Sequence, residues 1–367
     1  MYKALFFPLL SIPSGHHQTA DALIERLQKR ESNIQCKKID LLTYRFGKIE
    51  KLISNFYLKW IHISPRTYSY LYKKLAYNQP IEKNYYFYQL MFERVALSMI
   101  ESENPSIIIC THALPSRIFS HLKEKKKINV PIINVYTDFF INRLWGIKQI
   151  DAHFVSTDSM ASYLLEHGVD QQKIFHTGIP VHPSIQKRNS TVPIKSPLKI
   201  LITGGSMGVG TIEKLLKKLP KSEEVQYYVL CGKNLRLFHY LKRNEHKQVI
   251  PLPYIDSREK MNMIYEDVDA VITKPGGVTV SECILKKIPI FIYHALPGQE
   301  EINWQVLSTL KIVKPLPYFQ DEHEMMNYFY QNIKDYHQNR IFDQYENHPC
   351  FQKAEDVVLQ ILFHEII

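Results

Sequence analysis

The sequence predicts an α/β protein made of two doubly wound domains, each with a parallel sheet covered by helices on both faces. Three observations lead to this prediction. Apolar runs of strand length alternate with helical patterns, breakers near the middle of the chain separate two such series, and glycine-rich turns follow several of the runs. The length of 367 residues suits two domains of ordinary size.

The first series begins at the N-terminus, whose apolar run we interpret as a buried strand rather than a secretory leader because Pro8 interrupts it. A helix is predicted over His17–Lys29, where Ala20, Leu23 and Leu27 recur at helical spacing. The strands of this half are predicted at Lys3–Leu10, Ile34–Leu41, Ser106–Thr111, Pro131–Thr137, Ala152–Ser156 and Lys173–Thr177.

Glycine and proline are concentrated at residues 178–198, which predicts a linker there and domains over 1–180 and 181–350. The second series has predicted strands at Leu198–Thr203, Gln226–Cys231, Gln248–Leu252, Ala270–Thr273, Pro289–Tyr293 and Lys311–Val313. Residues 351–367 carry apolar side chains at helical spacing, and we expect a final helix that packs on one or both domains.

Composition excludes several classes of protein. With 45% hydrophobic and 22% charged residues, the chain is neither disordered nor fibrous. Five scattered cysteines without a CxxC pair argue against a disulfide scaffold or a zinc motif, and favour a reducing compartment. No stretch reaches the roughly 18 apolar residues that a membrane span requires.

The net charge of +10 lies wholly in the first half. Residues 1–195 hold 26 Lys+Arg against 15 Asp+Glu, whereas residues 196–367 hold 20 against 21. This asymmetry indicates a polyanionic partner, either nucleic acid or an anionic membrane, unless the basic surface is merely solvated. Residues 56–92 are rich in aromatic and basic side chains, which favours the membrane; no RNA-binding module motif is present, so no nucleic-acid partner is expected.

The clearest chemical motif is a glycine-rich turn between the strand Leu198–Thr203 and a helix expected near Thr211. Backbone N–H groups at a helix N-terminus favour a phosphate, and glycine allows a close approach. The same residues also fit the G-x-S-x-G elbow of a serine hydrolase, or a turn that binds nothing. The motif residues are Gly204, Gly205, Ser206 and Gly208.

Two further turns follow strands of the second half. After Ala270–Thr273 come Pro275, Gly276 and Gly277, with Thr279 early in the next helix and Glu282 placed to accept from ribose hydroxyls. After Pro289–Tyr293, Gln299 and Glu300 begin a helix, where an amide and a carboxylate suit sugar hydroxyls, although acidic helix starts are common. A nucleotide diphosphate has the size to span these turns.

In the first half, His16 lies in the first strand-to-helix turn, where it is either a general base or a structural histidine. Asp138 ends a strand at the same predicted edge and is placed to orient His16 or to bind an acceptor hydroxyl. Adjacent histidines at 16 and 17 do not easily converge on one ion, so no metal site and no cofactor are predicted.

Together these motifs resemble the glycosyltransferases that make glycolipids, namely the monogalactosyldiacylglycerol synthases and the processive diacylglycerol glucosyltransferases. The similarity covers roughly residues 3–315 and rests on an ordered set rather than on any one motif. The matching stretches are Ser14-Gly-His-His-Gln-Thr-Ala20, Thr137-Asp-Phe with Leu-Trp145, Thr177-Gly-Ile-Pro180, Gly204-Gly-Ser-Met-Gly208, Lys274-Pro-Gly-Gly-Val-Thr279 with Glu282, and Pro297-Gly-Gln-Glu with Asn303.

The resemblance implies a GT-B fold, in which two Rossmann-like domains face a cleft. It also implies inverting, metal-independent transfer from UDP-glucose or UDP-galactose to diacylglycerol or another lipid acceptor, by a cytoplasmic enzyme peripheral on the inner face of the cell membrane. The implied role of His16 is that of the base or of an acceptor-positioning residue. The other implied roles are diphosphate binding for Gly205, Ser206, Gly208, Gly277 and Thr279, ribose binding for Glu282, and sugar contacts for Gln299 and Glu300.

Two departures from the family pattern bear on the acceptor. Asn142 stands where the family often has a histidine, and Pro13-Ser14 replaces glycine in the first loop. They leave open a nucleotide-sugar sensor that binds without turnover. The other alternative is a serine hydrolase on Ser206, with Asp269 and His294 as candidate partners.

Overall fold

The computed structural model describes residues 1–9, 14–41, 86–188, 196–204, 212–220, 222–243, 247–338, 341–342 and 348–363. The chain forms two compact units. One consists of Met1–His182 together with Pro349–Ile367, and the other of Pro183–His348. The second unit is therefore inserted between two parts of the first.

A parallel sheet forms the centre of the first unit. Its described strands are β1 (Tyr2–Phe7), β2 (Ile34–Lys38), β3 (Ile107–Cys110), β4 (Ile132–Val135), β5 (Ala152–Val155) and β6 (Ile174–His176). Their order is β2-β1-β3-β4-β5-β6. The chain thus reverses direction across the sheet between β1 and β3, and residues that follow these two strands flank a crevice at the carboxyl edge.

Side chains of β1 alternate between the two faces, as the period of a strand requires. Ala4 and Phe6 are buried with residues of the first helix, whereas Leu5 and Phe7 are buried on the other face. The helices are α1 (Gly15–Arg30), α2 (Tyr86–Glu103), α3 (Ala113–Glu124) and α4 (Asp158–Glu166). Burial on both faces explains why the strands read as continuous apolar runs.

The C-terminal helix, Ala354–Leu362, packs on the first unit beside α1. Arg26 of α1 lies 3.3 Å from Glu355, and Arg30 donates to Asp356 at 2.6 Å. The main-chain N–H of Gln352 donates to the carbonyl of His176 at 3.0 Å. Both ion pairs and apolar contacts therefore attach this helix to the unit in which the chain begins.

A polar cluster lies within the core of this unit. Asn134 and His153 are paired across β4 and β5, and neither is exposed. The hydroxyl of Tyr136 lies 2.8 Å from Nδ1 of His153, and the Asn134 amide donates to the Gly146 carbonyl at 2.7 Å. Burial lowers the pKa of His153 to about 3, so this ring is neutral at ordinary pH.

The second unit has a sheet of the same kind. Its described strands are β7 (Leu198–Thr203), β8 (Val225–Leu230), β9 (Val249–Leu252), β10 (Ala270–Thr273), β11 (Ile290–Ile292) and β12 (Val313–Pro315). The order β12-β11-β10-β7-β8-β9 is that of a dinucleotide-binding sheet, with its reversal between β7 and β10. Residues after these two strands therefore flank the second crevice.

The helices of the second unit are α5 (Ile212–Lys218), α6 (Leu235–Arg243), α7 (Arg258–Asp267), α8 (Gly277–Lys286), α9 (Gln299–Thr309) and α10 (Glu322–Gln338). One face of the sheet packs Ile200, Ile202 and Phe291 against Met325 and Phe329 of α10. In the parts of the chain that the structure describes, no helix has both the length and the apolar character needed to cross a bilayer.

The segment entering the second unit is fixed to α7. Ser184 donates to Glu259 at 2.7 Å, and the N–H of Gln186 donates to Asn262 at 2.9 Å. Buried Arg188 donates to the carbonyl of Tyr265. These contacts fix the start of the second unit to α7. The same helix also contacts Glu282.

The two-domain α/β prediction is confirmed, and the strands predicted from the apolar runs differ from the described ones only at their ends, with one exception. The last strand was predicted at Lys311–Val313 and lies at Val313–Pro315, so only Val313 was placed correctly. The predicted helix at His17 begins two residues earlier, at Gly15, because Ser14 has the extended backbone of an N-cap. The predicted final helix is shorter than residues 351–367 and begins at Ala354.

Candidate functional site

His16 lies at the crevice of the first sheet, in the first turn of α1 directly after the loop that follows β1. Its Nδ1 is 2.7 Å from the carbonyl oxygen of Thr111, which follows β3, and 2.8 Å from Oγ1 of Thr137, which follows β4. The Thr111 hydroxyl donates to the main-chain carbonyl of His16 at 3.1 Å. Residues after two neighbouring strands, β3 and β4, therefore hold this ring.

These contacts determine the tautomer of His16. A carbonyl oxygen only accepts, so the Nδ1 atom that contacts Thr111 carries the proton. The Nε2 atom then has an unprotonated lone pair. Burial lowers the pKa of His16 to about 4, although the hydrogen bond to Thr111 acts in the opposite direction, so the ring is neutral at physiological pH. His16 is thus in the form that accepts a proton at Nε2.

A second histidine lies beside it. His112 is the N-cap of α3, and its Nδ1 accepts from the N–H of Leu114 at 3.1 Å. The rings of His16 and His112 meet edge to face, with centroids 4.7 Å apart. No local pattern in the sequence points to His112, because its place beside His16 depends on β3 lying next to β1.

Asp138 follows Thr137 in the loop after β4 and is partly buried. The side chain that the structure places on His16 is the Thr137 hydroxyl, one residue earlier; an orienting role for Asp138 stays a prediction. Asn142 accepts the N–H of Leu144 at 3.0 Å and so closes a local turn. The Asn142 amide therefore stabilises the loop.

In the second unit, Gly204 directly follows β7 at the crevice. A methyl group on this glycine would lie 3.1 Å from the Ile212 side chain and 3.4 Å from the Tyr293 hydroxyl. Glycine therefore allows strand, helix and Tyr293 to approach closely here. The predicted diphosphate residues Gly205, Ser206 and Gly208 lie outside the described residues, as do residues 56–85 of the aromatic and basic segment.

The turn after β10 lies across the same crevice. Pro275 and Gly276 lead into α8, which begins at Gly277 and has Thr279 in its first turn. Gly276 is the N-cap, and its side-chain position has no heavy atom within 4 Å. The first N–H groups of α8 are therefore approached through a glycine turn that leaves room for an anion.

A charged pair lies beside that turn. Lys274 Nζ is 4.0 Å from Glu300, whose other carboxylate oxygen accepts the N–H of Leu296 at 2.6 Å. Burial and Lys274 lower the pKa of the neighbouring His294, so its ring is biased toward the neutral form. Glu300 is thereby oriented before any substrate binds.

Gln299 begins α9 after Gly298, whose φ of 101° lies in the region that favours glycine. The α9 turn is closed by Glu301, which accepts the N–H of Gly298 at 3.1 Å. Gln299 and Glu300 consequently lie in the first turn of α9, at the carboxyl edge of the sheet. Their sugar contacts stay predictions.

Glu282 is more enclosed than the sequence suggested, with 5% of its surface exposed. Its Oε2 accepts from the Tyr265 hydroxyl at 2.8 Å, and Oε1 is 3.6 Å from Arg258. Burial raises the pKa of Glu282, while Arg258 and Tyr265 oppose that shift. The carboxylate is therefore fixed in direction, and its ribose role stays a prediction.

Comparisons with known proteins agree with this arrangement. The Monogalactosyldiacylglycerol (MGDG) synthase family matches residues 16–181, and the Glycosyltransferase family 28 C-terminal domain matches residues 199–306. The uncharacterized glycosyltransferase YkoN of Bacillus subtilis (strain 168) is 40% identical over 372 residues, covering 100% of this chain and 98% of YkoN. A processive diacylglycerol beta-glucosyltransferase of Bacillus cereus (strain AH187) is 29% identical over 303 residues, covering 79% of this chain and 76% of that protein.

Solved structures show the fold. MurG of Acinetobacter baumannii superposes with a TM-score of 0.60 at 14% identity and covers 99% of each chain. The glycotransferase of kitacinnamycin gives a TM-score of 0.59 at 10% identity, covering 98% of this chain and 99% of its own. With two Rossmann-like sheets and matches along both halves, the chain belongs to the family 28 type of GT-B glycosyltransferases, with an N-terminal domain of the monogalactosyldiacylglycerol synthase family.

Proposed function

We propose that this glycosyltransferase moves a hexose from UDP-glucose or UDP-galactose to the hydroxyl of a lipid, with diacylglycerol as the acceptor. The observation that carries the proposal is the orientation of His16, whose Nδ1–H is engaged by Thr111 so that Nε2 is left to accept a proton. The activities for which the monogalactosyldiacylglycerol synthase family and the diacylglycerol glucosyltransferase relative are named support the choice of acceptor.

The acceptor reaction requires a base in its neutral form. In the proposed step the acceptor oxygen attacks the anomeric carbon on the face opposite the diphosphate, and its proton passes to Nε2 of His16. The bond from the anomeric carbon to the diphosphate oxygen breaks, and UDP leaves with the electron pair. Attack from the opposite face inverts the anomeric configuration.

The donor reaction requires stabilisation of the charge on the departing diphosphate. The N-terminus of α8 offers backbone N–H groups and the positive end of a helix dipole, and Lys274 adds a cation beside the same turn. We assign diphosphate binding to this turn, to Thr279 and to the loop Gly204–Gly208. Because these groups supply the positive charge, transfer is proposed to need neither a metal ion nor a cofactor.

The acceptor is proposed to be taken from a membrane surface. The first half of the sequence has a net charge of +11, which supports attraction to anionic lipids at the inner face of the cell membrane. Sedimentation with vesicles containing an anionic phospholipid tests this part. We expect binding that weakens as salt rises; equal recovery with neutral vesicles would contradict it.

The central experiment incubates the purified protein with radiolabelled UDP-glucose or UDP-galactose and vesicles that contain diacylglycerol and an anionic phospholipid, with a chelator present. His16→Ala is compared with His167→Ala, a matched histidine that is exposed at the end of α4. We expect labelled glycolipid from the wild type and His167→Ala, and a loss of at least about a hundredfold in His16→Ala.

The other outcomes separate the alternatives. UDP-sugar binding without transfer to any lipid would replace the enzyme by a sensor. Labelling of Ser206 by a fluorophosphonate would favour a hydrolase. Equal activity in His16→Ala and wild type would remove His16 as the base.

A further inference from the structure

The proposed reaction leaves His112 without a role. This residue follows β3 as His16 follows β1, so both lie at the reversal of strand order in the first sheet. Both residues are half-buried. The capping contact gives the Nδ1 atom of His112 a function. It does not explain why the His112 ring packs against the ring of His16.

The two rings have opposite hydrogen-bonding states. Nδ1 of His112 accepts the N–H of Leu114 and therefore carries no proton, so the proton of the neutral ring is on Nε2. In His16 the proton is on Nδ1, because that atom contacts the Thr111 carbonyl. The pair thus offers one acceptor, Nε2 of His16, beside one donor, the Nε2–H of His112.

The ring centroids are 4.7 Å apart, a separation at which one small fragment is long enough to contact both rings. A hydroxyl group alone satisfies the His16 acceptor. A second oxygen on the neighbouring carbon is needed to use the His112 donor as well. Diacylglycerol has this pattern, since an ester oxygen is attached to the carbon next to the one that bears the hydroxyl.

We propose that His112 is an acceptor-binding residue that donates its Nε2–H to an oxygen on the carbon adjacent to the reacting hydroxyl. The histidine pair then selects alcohols with two oxygens on neighbouring carbons over simple alcohols. This inference rests on the proposed function, which supplies the hydroxyl and its transfer to the sugar. It assigns acceptor selectivity to a residue that takes no proton itself.

Two substitutions distinguish the N-capping contact of His112 at Nδ1 from the proposed hydrogen bond that its Nε2–H donates. Asn is a good N-cap and keeps an acceptor near the Nδ1 position, but it does not extend to the Nε2 position. Gln extends further and keeps a donor there. His112→Asn therefore preserves the start of α3 and removes the proposed contact, whereas His112→Gln retains the contact.

The test measures kcat/KM at saturating UDP-hexose with diacylglycerol and with a long-chain primary alcohol that has no second oxygen. We expect His112→Asn to lower the value for diacylglycerol by about five- to tenfold, which corresponds to one neutral hydrogen bond, and to leave the primary alcohol unchanged. His112→Gln should recover most of the loss. An equal loss on both acceptors, or no loss on diacylglycerol, would overturn the inference.

A second readout does not depend on turnover. Nitrogen NMR of the histidine rings should find the proton on Nε2 in His112 and on Nδ1 in His16. A proton on Nδ1 of His112 would also overturn the inference. If the wild type transfers hexose to neither alcohol while the NMR result is as expected, the proposed function fails, and the selectivity role fails with it.

Discussion

Acid should destabilise the first unit, because its buried histidines make its free energy of unfolding depend on pH. His153 is the most deeply buried of these histidines. Its pKa of about 3 in the folded protein lies below the ordinary value of 6.5. Between these values the unfolded chain binds a proton that the folded chain does not bind. The free energy of unfolding therefore falls as pH falls through this window, by up to about 1.4 kcal/mol per pH unit for this one residue.

The substitution His153→Asn removes this titration and leaves an amide near the Nδ1 position, where it contacts the Tyr136 hydroxyl. At neutral pH the variant should be less stable, because the packing of the cluster changes. Between pH 6 and pH 4.5, however, the wild type should lose about 2 kcal/mol more than the variant, which is the proton-binding free energy of one unfolded histidine over that interval.

Urea unfolding at the two pH values measures this difference. Trp145 is a suitable reporter because its ring packs 4.6 Å from that of Tyr136; Trp60 and Trp304 are replaced by Phe in both proteins. His16 and His112 titrate in both proteins, so their contributions cancel. Equal losses of unfolding free energy in the two proteins would refute the reasoning.

Other predictions concern the site and its supports. The acid side of the kcat/KM profile should have an apparent pKa near 4, because burial keeps His16 neutral down to that pH; a value near 6.5 would contradict this. Gly146→Ala should cost about 1–3 kcal/mol in urea unfolding, since its methyl would lie 2.5 Å from the Ser120 side chain and 2.6 Å from the Ser116 carbonyl. Gly276→Ala should leave the melting temperature unchanged, since no atom lies near its methyl, but weaken UDP binding by calorimetry at least severalfold. Unchanged UDP affinity would argue against diphosphate binding at this turn.

The local parts of this structure could be predicted from the sequence. Apolar runs identified the strands because both faces of each sheet are buried, and His16 was assigned to the first turn because glycine and a helical pattern follow the first strand. The order of strands is not a local property. His112 became a candidate only when β3 was seen beside β1.

The orientation of side chains was similarly inaccessible. The contact between the Thr137 hydroxyl and His16 depends on the path of the loop after β4, which the sequence does not show. The ribose role of Glu282 stays a prediction, and the sequence did not show that its carboxylate accepts from the Tyr265 hydroxyl, 17 positions earlier and on another helix. Contacts between separate helices and strands fix the orientations of these side chains. The spacing of residues within one helix does not predict such contacts.

The insertion of Pro183–His348 between two parts of the first unit has a consequence for biosynthesis. The second unit is synthesised whole before the C-terminal helix emerges, so its core is complete while the first still lacks a component. Until then, Phe6, Leu23 and Leu27 lack the cover that Val358 and Ile361 give them. The unit begun first on the ribosome is thus completed last, and its uncovered apolar surface is where we expect a chaperone to bind the nascent chain.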